Sequence, residues 1–146
     1  MRPITVGADV ERPANDAFAF VADVENNPRW QRGMRSCRWT SPEPHGVGST
    51  YDQAARFLGK DIVSSFEVIE LLPGRRLKIT STSGPFPITE TRTAAPLGED
   101  RCRVTAIVEG DARGFFRVAS PLLRALVARS VRGDYARLKR LLESGG

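Results

Sequence analysis

The sequence predicts an α+β fold in which a curved, seven-stranded antiparallel sheet wraps around a long C-terminal helix. Three observations lead to this prediction. An alternating strand pattern opens the chain, regularly spaced turn residues divide its middle into six strand-like segments, and the last 30 residues have helical periodicity. The 146 residues suit a single domain that spans 1–146.

The composition excludes several classes of protein. Hydrophobic residues make up 40% of the chain and charged residues 27%, which is too apolar for a disordered protein. The net charge is +5, but the arginines are spread along the chain, so we expect no nucleic-acid partner. No apolar run reaches the roughly 18 residues of a membrane span, and none resembles a signal peptide. Because Cys37 and Cys102 are far apart, we expect free thiols and a cytoplasmic protein.

The first 30 residues are predicted to form a strand and two short helices. Apolar residues alternate with other residues from Ile4 to Val10, which indicates a strand with one buried face. Pro13 suits the first turn of a helix, and apolar residues at helical spacing follow it. We expect Asn26-Asn27-Pro28 to stop that helix, with Trp30 on a second short turn.

Turn residues then divide the chain into six predicted strands. These strands are placed at 34–41, 49–57, 60–71, 75–83, 87–96 and 101–109. Glycine or proline marks each boundary between these strands, and short turns between strands indicate antiparallel neighbours.

The C-terminal helix is predicted to run from Pro121 to Glu143. Ser120-Pro121 is a favourable start because proline has no N–H to leave unpaired in the first turn. Leucine and valine residues form one stripe and arginines fill most of the other side. A helix of this length spans about 35 Å. A strongly twisted sheet that curls around it would bury the apolar stripe.

Several short motifs stand in the same order as in a known superfamily. They are Pro13, Asp16, Phe18 and Phe20 in the first helix, a D…P-x-W pattern at Asp23, Pro28 and Trp30, the turn Gly46-Val47-Gly48-Ser49, a V-x-E-x-x-P-x-x-R-L hairpin from Val68 to Leu77, and Leu138-Lys139 with Leu142-Glu143 in the last helix. With these motifs, nearly the whole chain resembles the START-like helix-grip superfamily. The branch it resembles most is the polyketide cyclase/dehydrase and lipid-transport (SRPBCC) group.

The resemblance implies a cavity between the concave face of the sheet and the long helix. It would hold a small hydrophobic or aromatic metabolite or a lipid. Strand alternation then predicts the inward side chains, which are Trp39, Tyr51, Gln53, Phe57, Phe66, Leu77, Glu90, Arg92, Cys102, Val104, Ala106 and Val108. Thr89, Thr91 and Thr93 are expected to form an outer row. A bulge would reverse any one of these strands.

Glu90 and Arg92 form the sharpest local feature. Both residues are an even number of positions from Ile88 and Ala94 on the same strand, so their charged side chains are expected on the inner face. There they must pair with each other or with water. There they could anchor a carboxylate or phenol of a ligand. A slip of one residue would instead leave both on the solvent face.

Alternate turns of the meander are expected to meet at one end of the sheet. They carry Leu58, Phe86, Phe115 and Phe116. This apolar rim could be the mouth of the pocket, with Phe115 and Phe116 touching the ligand. It could equally be a homodimer contact, a tip that touches a membrane, or a cap on the core.

The sequence shows no cluster typical of catalysis or cofactor binding. His45 is the only histidine, and we expect it to be a solvated turn residue. No zinc cluster, nucleophile elbow, phosphate loop or dinucleotide fingerprint is present, so no metal or cofactor is expected.

Three functional hypotheses remain. The first is a binding protein for a small hydrophobic molecule. The second is a polyketide cyclase/dehydratase-type enzyme, in which Glu90, Arg92 or Tyr51 would polarise carbonyls or move protons. The third is a membrane- or lipid-contacting module that uses the apolar rim and the basic helix.

Overall fold

The computed structural model describes residues 3–57, 59–85, 87–110 and 121–145. The first part of the chain comprises strand β1 (Ile4–Val10), helix α1 (Ala14–Ala22), a 3-10 turn (Val24–Asn26) and helix α2 (Asn27–Trp30). The six following strands are β2 (Met34–Trp39), β3 (Thr50–Phe57), β4 (Lys60–Leu72), β5 (Arg76–Ser83), β6 (Ile88–Gly98) and β7 (Arg101–Gly110). Helix α3 (Pro121–Glu143) has the predicted boundaries.

The seven strands form one antiparallel sheet, and the predicted α+β class is confirmed. The strand order is β1-β7-β6-β5-β4-β3-β2, so the meander of six strands has β1 added at its end. β1 pairs with β7 from Ile4 opposite Val108 to Val10 opposite Cys102. This pairing places the first and last strands of the chain side by side. Helix α3 packs against β1.

The sheet alternates as the sequence predicts. Leu77, Cys102, Val104, Ala106 and Val108 are all buried on the inner face. On the outer face, Thr89 is bonded to Thr80 through their hydroxyls at 3.0 Å, and Thr93 is bonded to Thr105.

Helix α1 is shorter than predicted, because it ends at Ala22 rather than at Asn26. Asp23 has extended backbone angles, and its side chain accepts a hydrogen bond from the Glu25 N–H at 3.1 Å. This bond starts the 3-10 turn. Pro28 then lies in the first turn of α2, so the Asn26-Asn27-Pro28 segment begins a helix instead of stopping one.

Burial along α3 is uneven. Its C-terminal half buries Tyr135, Leu138 and Leu142 against the sheet. In its N-terminal half, Leu122 is 70% exposed and Leu126 is 39% exposed, although the sequence pattern placed both on the buried stripe. Val127 and Val131 of this half are only partly buried, and a cavity lies beside them.

Polar contacts fix the packed end of α3 to the end of β1. Lys139 Nζ donates to the carbonyl of Asp9 at 2.6 Å, and Arg12 Nη1 donates to the carbonyl of Leu142 at 2.7 Å. The backbone N–H of Glu11 donates to the Glu143 carboxylate at 2.9 Å. The bond from Arg12 pairs a carbonyl of the last helical turn, where intrahelical donors are lacking.

Candidate functional site

A cavity of about 230 Å³ lies between the concave face of the sheet and the loosely packed half of α3. Alternate residues of three strands line it: Tyr51, Gln53 and Ala55 of β3, Ile62, Ser64 and Phe66 of β4, and Ile88, Glu90 and Arg92 of β6. Val127, Ser130, Val131 and Asp134 of α3 close it from the other side.

Five of the predicted ligand-binding residues lie on the wall of this cavity. They are Tyr51, Gln53, Phe66, Glu90 and Arg92. Of Phe57 the structure describes the backbone only. Phe115 and Phe116 lie outside the described residues, as do Leu58 and Phe86, so the predicted apolar rim stays a prediction.

Trp39 faces the same side as Tyr51 but does not line the cavity. Its ring meets the edge of Tyr51 at 5.7 Å and stacks on His45 at 3.9 Å. Its indole N–H donates to the Asp23 carboxylate at 3.3 Å. His45, which was expected to be a solvated turn residue, lies between β2 and β3 and is half-buried by this stacking.

Glu90 and Arg92 both point inward and form a close ion pair. Arg92 Nε lies 2.6 Å from Glu90 Oε2, and their side chains are only 2% and 14% exposed. Burial opposes the charge on Arg92, but the adjacent Glu90 carboxylate outweighs it and keeps the pKa of Arg92 above its ordinary value.

The remaining contacts of Arg92 are structural. Its Nη1 donates to the Val21 carbonyl at 3.0 Å and to Asn27 Oδ1 at 2.9 Å, and the guanidinium lies 5.1 Å from the centre of the Trp30 ring. Arg92 thus holds the end of α1 and the start of α2 on the sheet. A ligand would have to compete with these contacts, so Glu90 is the better-placed member of the pair.

Tyr51 lines the cavity, and its buried hydroxyl has no hydrogen-bond partner among the described residues. The ring is held by stacking on Phe66, with ring centres 5.2 Å apart. Burial raises the pKa of Tyr51 well above its ordinary value. The neutral phenol can therefore donate a hydrogen bond to a ligand oxygen. Gln31 Oε1, also on the wall, is a second buried atom without a described partner.

Asp134 is a site residue that the sequence analysis missed. Its Oδ1 accepts a hydrogen bond from the Arg32 N–H at 3.1 Å and another from Arg137 Nη2. Burial raises the pKa of Asp134, and the bonds from Arg32 and Arg137 oppose this. The available signal was its position, since it continues the apolar stripe of Val127 and Val131 at helical spacing.

Within the described part of the chain, no group of three or more histidine, cysteine, aspartate or glutamate residues could hold a metal ion. Burial raises the pKa of the Cys37 thiol to about 11, so Cys37 is a poor nucleophile at neutral pH. None of the described helices combines the length and the apolar character that crossing a bilayer requires.

The family model described as polyketide cyclase / dehydrase and lipid transport matches residues 1–143, which include every described wall of the cavity. The chain belongs to this family. A search of curated protein sequences finds no match.

Similar folds are found among solved structures. A START superfamily protein from Mycobacterium smegmatis is 16% identical, with a TM-score of 0.85 and full coverage of both chains. The aromatase/cyclase Zhui from Streptomyces sp. R1128 is 17% identical, with a TM-score of 0.76 and coverage of 97% of this chain and 93% of that one.

A third similar structure is the di-domain aromatase/cyclase BexL of the BE-7585A biosynthetic pathway. It is 19% identical with a TM-score of 0.74, and the match covers 98% of this chain and 47% of that one. At these identities the likeness shows the shared helix-grip fold. The polyketide cyclase/dehydrase and lipid-transport family itself leaves two classes of function open, hydrophobic-ligand binding and cyclase-type chemistry.

Proposed function

We propose that the protein binds a small, mainly apolar molecule that carries a hydrogen-bond acceptor. The observation that carries this proposal is that Tyr51 lines the cavity and that its buried hydroxyl has no described partner. The volume of about 230 Å³ lies slightly below the range of about 300–1,000 Å³ that is usual for ligand pockets. The ligand is therefore a compact one.

The energetic reason lies in the cost of an unpaired polar group. A buried hydroxyl without a partner costs about 1–3 kcal/mol, which a ligand oxygen at Tyr51 would offset. The neighbouring walls are mainly aliphatic or aromatic and include Phe66, Ile79 and Val108. These walls favour a ligand that is mostly apolar. Tyr51 determines where the one polar atom of that ligand binds.

The Tyr51→Phe variant is expected to lose selectivity for a carbonyl without losing stability. The probes are 1-acetylnaphthalene and 1-ethylnaphthalene, which have nearly the same shape but differ in the carbonyl. We expect the wild-type protein to bind the acetyl compound about 3–10-fold more tightly, as one hydrogen bond allows. Tyr51→Phe should remove this preference and leave the free energy of unfolding unchanged or higher. Titration by fluorescence and urea denaturation measure the two quantities.

Tyr135→Phe is the matched control. The Tyr135 hydroxyl is also buried without a described partner, but Tyr135 is not among the residues that line the cavity. Its removal should leave the preference for the acetyl compound intact. Failure of the wild-type protein to bind either naphthalene would contradict the proposal, and so would a preference that survives in Tyr51→Phe.

A second candidate is an enzyme of the cyclase/dehydratase type, and Asp134 is the observation that favours it. Oδ1 of Asp134 accepts both described hydrogen bonds, whereas Oδ2 accepts none from the described residues. Oδ2 is thus available to remove a proton from carbon between two carbonyls. Tyr51 would donate a hydrogen bond to the carbonyl oxygen that gains negative charge. Two of the similar structures are described as aromatase/cyclases.

Turnover of a short linear poly-β-ketone thioester would test this second candidate. If Asp134 is the base, Asp134→Asn should reduce kcat by about 100-fold or more, because general base catalysis contributes about 10²–10⁴-fold. Asp134→Asn keeps an oxygen that can accept the bonds from Arg32 and Arg137, so the fold should persist. An unchanged kcat in this variant would remove Asp134 from the reaction. Absence of cyclised product with the wild-type protein would leave binding as the function.

A further inference from the structure

A second, wider hollow lies beside the cavity, and three arginines line it. This hollow has a volume of about 600 Å³ and is lined by Arg32, Arg35 and Arg56. The two spaces share four lining residues, which are Gly33, Met34, Arg56 and Ser130. A ligand in the apolar cavity therefore lies directly beside this hollow, which we call the basic mouth.

The charge of the basic mouth is only partly compensated. Arg56 lies 3.5 Å from the Asp61 carboxylate, an exposed pair of small energetic value. Arg32 and Arg35 are exposed, and neither forms an ion pair with a described residue. The surplus positive charge therefore lies on Arg32 and Arg35.

The cavity itself adds no free negative charge beside the mouth. Its two carboxylates already have basic partners, since Glu90 pairs with Arg92 and Asp134 with Arg137. An anion at the mouth would therefore meet the guanidinium groups without facing an unpaired carboxylate from the cavity wall.

The backbone holds the arginines in place around the mouth. The N–H of Arg56 donates to the Gly33 carbonyl at 2.7 Å, which ties β3 to the segment between Arg32 and Arg35. A Cβ atom at Gly33 would lie only 2.7 Å from the Arg56 carbonyl oxygen, so this close approach requires glycine. The N–H of Met34 donates to the Gln31 carbonyl at 3.1 Å and closes the turn. The backbone positions of the three arginines are thus set before any ligand binds.

We propose that the basic mouth binds the anionic head group of an amphipathic ligand, a carboxylate or a phosphate, while the apolar part occupies the cavity. Guanidinium groups bind both anions through paired, charge-assisted hydrogen bonds. This inference rests on the proposed function and adds the charge of the ligand and the place where that charge lies. It also gives a role to Arg32, Arg35 and Arg56, none of which the sequence analysis selected.

Three probes with the same eight-carbon chain test the inference: octanoate, octyl phosphate and octanol. Calorimetric titration in 50 mM NaCl should show that the wild-type protein binds octanoate and octyl phosphate at least about 10-fold more tightly than octanol, since charges near a protein surface attract appreciably. In 0.5 M NaCl this gap should narrow because salt screens exposed charges.

The Arg32→Gln/Arg35→Gln double variant is expected to reduce the gap to about 2-fold while the affinity for octanol stays the same. Arg38→Gln/Arg140→Gln is the matched control, because both arginines are exposed, lie outside the basic mouth and change the net charge equally. This control should keep the full gap. An equal loss in both double variants would show an effect of overall charge and overturn the inference.

Other outcomes separate this inference from the proposed function. Equal affinity of the wild-type protein for octanol and both anions would overturn the anionic mouth and leave apolar binding intact. Absence of binding by all three octyl probes and both naphthalenes would overturn the proposed function itself. Sedimentation with vesicles of anionic phospholipid that depends on Arg32 and Arg35, without binding of free octyl anions, would overturn the inference in favour of a membrane surface.

Discussion

Replacement of Arg92 by methionine is expected to lower the free energy of unfolding by about 3–5 kcal/mol, the usual cost of breaking a buried ion pair. The variant would leave the Glu90 carboxylate in the cavity wall without its partner at 2.6 Å. It would also remove the donor to the Val21 carbonyl and to Asn27 Oδ1. Methionine has a similar length, so the effect should come from lost polar contacts more than from lost volume.

Urea denaturation followed by circular dichroism measures this change, with Arg103→Met as the control. Arg103 pairs with Asp9 at 2.7 Å, but its side chain is 54% exposed. Its loss should cost less than about 1 kcal/mol. A similar small value for Arg92→Met would show that the buried contacts are weak and would contradict the structural role given to Arg92.

The double variant Arg92→Met/Glu90→Leu sharpens this test. Replacing both charges removes the unpaired carboxylate, so the double variant is expected to be more stable than Arg92→Met alone. It still lacks the donor to Val21 and Asn27, and should therefore remain less stable than the wild-type protein. A double variant no more stable than Arg92→Met would mean that Glu90 is well solvated without its partner.

The Val131→Trp variant is expected to weaken binding of 1-acetylnaphthalene by at least about 30-fold. Val131 lies on the face of α3 that lines the cavity. An indole in place of its isopropyl group would occupy much of the roughly 230 Å³ that a ligand needs. Because the cavity is an unfilled space, the larger side chain should cost less stability than the 1–3 kcal/mol typical of overpacking a filled core.

Ala136→Trp is the control for Val131→Trp, because Ala136 is on the exposed side of the same helix. Its affinity for the ligand should equal that of the wild-type protein. If Val131→Trp fails to fold, Ile62→Phe fills the cavity from β4 instead. Wild-type affinity in a folded Val131→Trp or Ile62→Phe protein would show that the ligand binds elsewhere.

The sheet and the inner face could be predicted from the sequence because strand alternation is a local signal. Every second residue of a strand points to the same face, so the alternation identifies the buried face of each strand. Short turns fix which strands are neighbours. This was sufficient to place Glu90 and Arg92 on the concave face, where the structure has them. The pattern also gave both ends of α3, since Pro121 marks its start and the leucine spacing continues to Glu143.

The contacts that decide the roles of these residues depend on the tertiary structure. Arg92 bonds to Val21 and Asn27, which are 71 and 65 positions away in the chain. No periodicity in the sequence reports such a contact. Similarly, Arg56 belongs to the basic mouth only because β2 and β3 pair so as to bring Gly33 against it. The exposure of Leu122 and Leu126 could not be predicted either, because a leucine stripe does not show which of its residues the rest of the protein covers.

Different parts of α3 fix the helix to the sheet and line the cavity. The end fixed by Leu138, Leu142 and the contacts to β1 supplies anchorage, whereas Val127 and Val131 line the cavity and take no part in these contacts. Substitutions at Val127 or Val131 would therefore change the size of the ligand that fits the cavity without loosening the anchor. A scaffold divided in this way would admit different ligands while its architecture stays constant.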